Sequence, residues 1–268
     1  MKIKNNDFDL FHTFECGQCF RWNMNVDKSY TGVVNNSVIT VKNEDDYFVF
    51  STDDESLINT YFDFEKDYSF IKESLISKDD VLAKAIPKGY GIRLLKQNPW
   101  ETLVSFIISA NNNIPRIKKI IESLCFNFGN EIKVDDKIFY SFPEASEISS
   151  LTVEQLDVIK SGFRAKYILD AAKKVHNREI DLDAVYSMNT EQAREYLKQI
   201  KGVGNKVADC ILLFAYQKFD VFPKDVWIKK VLNELYGVEE KDFDDFVLNH
   251  FGDLAGFAQQ YLFFYMRG

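Results

Sequence analysis

The stretch that most constrains the fold is Leu197-Lys-Gln-Ile-Lys-Gly-Val-Gly-Asn-Lys-Val-Ala-Asp-Cys210. One helical pattern stops, Gly202-Val203-Gly204 follows, and a second helix begins at once. Two glycines one residue apart admit positive φ and close backbone approach, so a tight reversal between helices is predicted. The first N–H groups of the second helix then point outward and suit a phosphate. A helix-connecting hairpin with no ligand would use the same residues. Lys206 falls in the first turn of the new helix, where the helix dipole disfavours a cation. Apolar Val207, Ile211 and Leu212 beside it should lower its basicity, and a neutral amine is a nucleophile. A solvated lysine that only touches phosphate fits as well, and these residues alone leave both readings open.

Nineteen residues after Lys206 comes Asp225, within Phe222-Pro223-Lys224-Asp225-Val226-Trp227. Pro223 breaks the preceding segment, and Asp225 suits the N-cap of a helix running from Val226. It is either a cap alone or a cap whose carboxylate is also aimed back at Lys206.

The rest of the chain divides in two. Ser29–Val34, Ser37–Lys42 and Tyr47–Thr52 are short β-branched or aromatic runs separated by Asn35-Asn36 and by residues 43–46, which predicts an antiparallel meander. A helical period starts near Asp53. From Pro99 onward everything reads helical, with helices over Trp100–Ala110, Ile114–Phe128, Val153–Ser161, Lys166–Val175, Thr190–Gln199, Lys206–Tyr216, Asp225–Tyr236 and Gly256–Met266. The expected fold class is α+β: an antiparallel β-sheet domain with flanking helices over residues 1–95, then an all-α region over 96–268 carrying the hairpin at 197–210. A chain of 268 residues has room for two such units.

Composition narrows the function. The formal net charge is −8, against a nucleic-acid partner if read as an average. Local stretches differ: Lys160 to Arg178 holds six basic residues and one Asp, and Lys198 to Lys206 three basic residues and no acid. A duplex needs one basic face rather than a basic mean. Four scattered cysteines make no disulfide framework. Cys16-Gly-Gln-Cys19 has metal-like spacing, but no second CxxC or paired His follows, so neither a zinc site nor a four-thiolate iron–sulfur cluster is expected. No apolar run reaches signal-peptide or membrane-spanning length, and an intracellular monomer without membrane attachment is expected.

The hairpin segment together with Pro223-Lys-Asp225 resembles the helix-hairpin-helix Gly/Pro-Asp DNA glycosylases, and more narrowly the 8-oxoguanine DNA glycosylases. Three further elements match that family in its order: Cys16-Gly-Gln-Cys-Phe-Arg-Trp22, Ser109-Ala-Asn-Asn-Asn-Ile-Pro-Arg116 and Gly256-Phe-Ala-Gln-Gln-Tyr-Leu-Phe263. Together they span residues 16 to 263, nearly the whole chain.

The resemblance implies a bifunctional DNA glycosylase and AP lyase acting on duplex DNA that carries 8-oxoguanine, preferably opposite cytosine. By it Lys206 attacks C1′, and Asp225 is required for catalysis. Gly17 offers a carbonyl to N7–H of the flipped base, Phe263 and Cys210 sandwich it, and Gln259 meets its pairing edge. A thiolate–ammonium pairing of Cys210 with Lys206 is implied as well. Asn111, Arg116 and Arg164 hold the widowed cytosine, Phe163 wedges into the stack where relatives usually carry tyrosine, and Gly202 and Gly204 meet phosphate. No cofactor is required for catalysis. A structural monovalent or divalent cation on the backbone carbonyls of Lys198, Ile200 and Val203 is implied at the hairpin. Two departures stand out: Trp227 replaces a histidine that contacts phosphate in well-known members, and Cys19 replaces a serine. A glycosylase for another lesion, or a non-catalytic DNA-binding module, would use the same hairpin. Pyrimidine-specific relatives usually carry an iron–sulfur cluster and alkylpurine-specific ones usually lack the lysine.

Overall fold

A computed structural model of the chain describes residues 1–5 and 7–267. Five antiparallel strands form the N-terminal sheet: β1 (Lys2–Lys4), β2 (Asn23–Met24), β3 (Tyr30–Val34), β4 (Ser37–Glu44) and β5 (Tyr47–Phe50), in the order β1-β5-β4-β3-β2. The meander predicted from sequence is its centre. Asn35 and Asn36 both take positive φ, at 46° and 66°, and close the two-residue turn that pairs Val34 with Ser37. Such a turn matches the strand twist and asparagine tolerates it. The short edge strand β1 was not anticipated; it pairs with β5 from Lys2↔Val49 to Lys4↔Tyr47.

One face of the sheet is sealed by aromatic rings. Phe14 stacks on Trp22 at 4.2 Å, and Phe62 meets the edges of both Trp22 and Phe8. The Trp22 indole N–H donates to Tyr61 Oη at 2.9 Å, so its polar end is satisfied inside the cluster.

The second core is helical and interleaves with the first in sequence. Cys16 and Phe20 belong to it, as do Tyr68, Ile71, Leu82, Ile92 and Leu94, whereas Leu95 closes the sheet core. The helices Tyr68–Ile76 and Asp80–Ala85 therefore pack with the C-terminal half. At its centre lies Asn205–Tyr216, every residue of which from Val207 onward is buried. Phe106 of the helix Pro99–Ser109 stacks on Phe214 at 5.4 Å.

Two expectations for this half need correction. A two-stranded ribbon, β6 (Glu131–Val134) with β7 (Lys137–Tyr140), interrupts the region expected to be all helical. Ile132 pairs with Phe139, and Asp135 turns the chain at φ 50°. The helix expected over Val153–Ser161 ends at Leu156, passes into a tight 3-10 turn and stops at Lys160, whose φ of 56° is left-handed. The basic stretch beyond it begins in a turn.

Candidate active site and DNA interface

The hairpin is built from the helix Thr190–Leu197, the turn through Gly202, and the helix Asn205–Tyr216. A third helix, Ala165–His176, braces it. Asp170 accepts the Lys201 N–H at 2.9 Å, Lys174 Nζ donates to the Gln199 carbonyl at 2.5 Å, and the Tyr167 ring lies against Gly202. Only one of the two glycines needs its conformational freedom. Gly202 has φ +85° and a Cβ there would stand 2.5 Å from Tyr167, whereas Gly204 is extended at φ −99° with nothing within 4 Å of a would-be Cβ. The expectation of positive φ thus holds for Gly202 alone. Gly204 is the N-cap and gives its helix no side-chain cap, so the first N–H groups remain for an outside acceptor. At the centre of the hairpin, Arg194 Nε donates to the buried Asp209 carboxylate at 2.6 Å and locks the two helices together.

Lys206 and Asp225 open into one cavity of about 680 Å³ that Gly17, Phe263 and Asn111 also line. The Lys206 ammonium lies 5.3 Å from the centre of the Phe106 ring. Asp225 is the N-cap foreseen, accepting the Ile228 N–H at 2.9 Å with one oxygen and keeping the other for the cavity. One helical turn beyond Lys206, Cys210 is buried, and burial pushes its thiol up to about 11 although Lys206 opposes the shift. Burial thus favours the thiol form of Cys210 over the implied thiolate.

Gly17 owes its place to Gln18. The Gln18 amide is completely buried; Nε2 donates to the carbonyls of Thr13 at 2.9 Å and Arg93 at 2.7 Å, and Oε1 accepts the Leu95 N–H at 2.8 Å. That clamp holds Gly17 at φ +81°, where a Cβ would come within 3.2 Å of Phe263 and 3.4 Å of Ile114. From the C-terminal helix Ala255–Arg267, Gln260 reaches across to the Cys16 carbonyl at 2.7 Å and fixes the pocket's two walls. Its neighbour Gln259 is also buried. Gln259 Nε2 reaches the Pro223 carbonyl at 3.4 Å, and its Oε1 has no partner. An orphaned acceptor in the core costs about 1–3 kcal/mol, so it awaits a donor.

The residues assigned to the opposite base also gather. Asn113 caps the helix Ile114–Phe128, Asn112 ties back to the Ile108 carbonyl, and Asn111, at φ 49°, is exposed with its side chain free for the solvent. Arg164 is only 3% exposed: it donates to the carbonyls of Ala110 at 2.9 Å, Asn111 at 2.8 Å and Ser161 at 3.1 Å. Burial, then the nearby Arg116 guanidinium, hold Arg164 below the usual arginine range. In this conformation Arg164 positions Asn111, while exposed Arg116 reaches outward. Phe163 is 53% exposed, with the Arg164 guanidinium 4.5 Å from its ring centre.

Trp227, Lys224, Lys229 and Arg267 complete the cavity wall, and no sequence motif assigned the last three a role. Proximity to Asp225 was the available signal for three of them. Arg267 is set by the last turn of the C-terminal helix, with its guanidinium 5.2 Å from the Phe263 ring centre. Among the described residues no group of three or more His, Cys, Asp or Glu side chains could hold a metal ion, and no helix is long and apolar enough to cross a membrane.

Comparison with known proteins places the chain in a family. Residues 104–254 match the HhH-GPD superfamily of base excision DNA repair proteins, which defines the class. Residues 1–103 match the N-terminal domain of 8-oxoguanine DNA glycosylase. The fold superposes on that of MBOgg1, solved with a low-affinity DNA ligand, with TM-score 0.95 and 48% identity over 99% of this chain and 94% of that one. It also superposes on Clostridium acetobutylicum 8-oxoguanine glycosylase/lyase, solved with double-stranded DNA bearing cytosine opposite 8-oxoguanine. There the TM-score is 0.93 and the identity 40%, over 100% of this chain and 97% of that one. The N-glycosylase/DNA lyase of Saccharomyces cerevisiae is 40% identical over 175 residues, 61% of this chain but only 46% of the yeast protein. The chain belongs to the 8-oxoguanine DNA glycosylase family.

Proposed function

We propose that the protein excises 8-oxoguanine from duplex DNA and then nicks the strand as an AP lyase, with cytosine the preferred opposite base. The observation that carries this reading is the convergence of Lys206, Asp225, Gly17 and Phe263 on one cavity beside an uncapped hairpin helix. The hairpin N–H groups take a phosphate, with Gly204 leaving the approach open. The lesion nucleotide leaves the stack, and Phe163 fills the gap. The Gly17 carbonyl accepts the N7–H of the lesion. Undamaged guanine presents an acceptor there, a mismatch of roughly 1–3 kcal/mol. Gln259 Oε1, unpartnered in the core, accepts from the N1–H or N2 amine of the base.

Once unprotonated, the Lys206 amine attacks C1′. The C1′–N9 bond breaks and its electron pair leaves with the base, while the free oxygen of Asp225 stabilises the positive charge developing on the sugar. The ring opens to a Schiff base on Lys206, and loss of a C2′ proton expels the 3′ phosphate. No cofactor enters these steps. A structural monovalent or divalent cation at the carbonyls of Lys198, Ile200 and Val203 belongs to the same reading. The donor set is neutral, and Ile200 already accepts the Val203 N–H at 3.1 Å, which leaves it one lone pair for an ion. Such a protein acts as a monomer in the compartment that holds the chromosome. Borohydride trapping on 8-oxoguanine duplex tests the reading: the parent protein should be captured covalently and Lys206→Gln should not. Capture of Lys206→Gln would assign the nucleophile to another amine.

A further inference from the structure

Two of the three tryptophans are structural. Trp22 and Trp100 are buried, and their indole N–H groups donate to Tyr61 Oη and to the Pro143 carbonyl, each at 2.9 Å. Trp227 is 43% exposed and lines the cavity that holds Lys206 and Asp225. It stands in the first turn of Val226–Glu234, a helix anchored from behind by fully buried Ile228, Val231 and Leu232. The backbone beneath the indole is thus fixed by packing that owes nothing to the indole itself.

The cations nearest in sequence are already engaged. Lys224 pairs with Asp244 at 2.5 Å and Lys229 pairs with Glu240. This wall of the cavity therefore offers a nucleotide a flat apolar surface flanked by compensated charges. Asp225, two residues earlier, must face the sugar if it stabilises charge there, which brings the indole within reach of the same sugar.

Resting on the function proposed above, we propose that Trp227 is a substrate-contacting residue that grips the extruded nucleotide on its deoxyribose side through an apolar contact, one that releases no counterion. Removing an aromatic platform under a base weakens binding by roughly 5- to 150-fold, and a ring laid against the sugar, which has no π-face, should fall toward the lower end of that range. Contacts to phosphate also set the slope of log affinity against log salt, whereas an apolar contact leaves that slope unchanged.

The test uses the full chain with Lys206→Gln, which cannot turn over, and a duplex with 8-oxoguanine opposite cytosine. Trp227→Ala on that background should weaken lesion binding within the range above with an unaltered salt slope, and Trp227→Phe should retain most of the affinity. Tryptophan emission offers a second readout that needs no change at Trp227. Its accessibility to acrylamide should fall when lesion duplex binds, because the other two indoles are already buried. Unchanged affinity in Trp227→Ala, a shallower salt slope, or acrylamide access that persists in the complex would each overturn the inference. A parent protein that releases no 8-oxoguanine would overturn the proposed function instead, so the two failures are distinguishable.

Discussion

Replacing Gly202 with alanine would set a methyl group against the Tyr167 ring. At φ +85° the added Cβ would stand 2.5 Å from Tyr167 Cδ2 and 2.7 Å from Cγ. The left-handed backbone costs an L-residue about 1–2 kcal/mol. Forcing a methyl into packed surroundings adds about 1–3 kcal/mol. Tyr167 cannot retreat freely, because the helix that carries it also holds Lys201 through Asp170 and Gln199 through Lys174. The expected loss is roughly 2–5 kcal/mol, which for a chain of this size lowers Tm by roughly 4–20 °C. Gly204→Ala is the matched control. It meets nothing within 4 Å and should cost under about 1 kcal/mol as an N-cap change, yet weaken binding to any duplex, because its methyl stands where a phosphate approaches. Thermal melts followed by circular dichroism, with duplex binding measured at a temperature where all variants are folded, separate the two. A Gly202→Ala protein that melts with the parent, or a Gly204→Ala protein that is the less stable of the pair, would refute the reasoning.

Asp225→Asn should keep the cap, because asparagine caps as well as aspartate, while cutting base excision by about a hundredfold or more in single-turnover assays. Equal excision rates would leave Asp225 with only its cap. Arg116→Ala should narrow the gap between 8-oxoguanine opposite cytosine and opposite adenine, since the exposed Arg116 guanidinium, a donor only, suits a cytosine acceptor but would face the adenine amine. A uniform weakening on all duplexes with a shallower salt dependence would instead mark Arg116 as a phosphate contact. Stability should fall with alkaline pH. Burial raises Cys16 and Cys125 from 9.0 to about 12 and Cys210 to about 11, so above pH 9 the unfolded chain loses these protons first. Urea midpoints should be level from about pH 7 to pH 9 and decline toward pH 11 to 12; a midpoint that rises over the alkaline interval would contradict the burial of these thiols.

Much of the site was legible because its chemistry sits in local patterns. Gly202, Lys206 and Asp225 announce themselves through turn and cap signals that need no distant partner. Asn111 and Arg116 came only with the family resemblance. The supports of Gly17 and of the hairpin are long-range: neither Gln18 clamping Arg93 and Leu95 nor Asp170 capping the hairpin turn leaves a pattern in its own segment. Arg164 shows the limit from the other side. The family resemblance set it on the widowed cytosine, but packing turns it inward onto three carbonyls. In the fold, the long strands were readable from alternation, while β1 is three residues long and its pairing is set by β5. The ribbon Glu131–Tyr140 carried a readable signal, β-branched residues around Asp135-Asp136, that the surrounding helical periods masked.

The bond from Gln260 to the Cys16 carbonyl spans 244 residues. It joins the two walls of the lesion pocket, which come from opposite ends of the chain. During synthesis the sheet could fold as it emerges, since domains generally fold as units from the N-terminus. The pocket could not: Gly17 would wait at φ +81° with no Phe263 beside it until the last helix arrived. Closing so long a loop is slow relative to local helix formation. The nascent chain should therefore complete its sheet well before it has a pocket in which a damaged guanine could be told from a normal one.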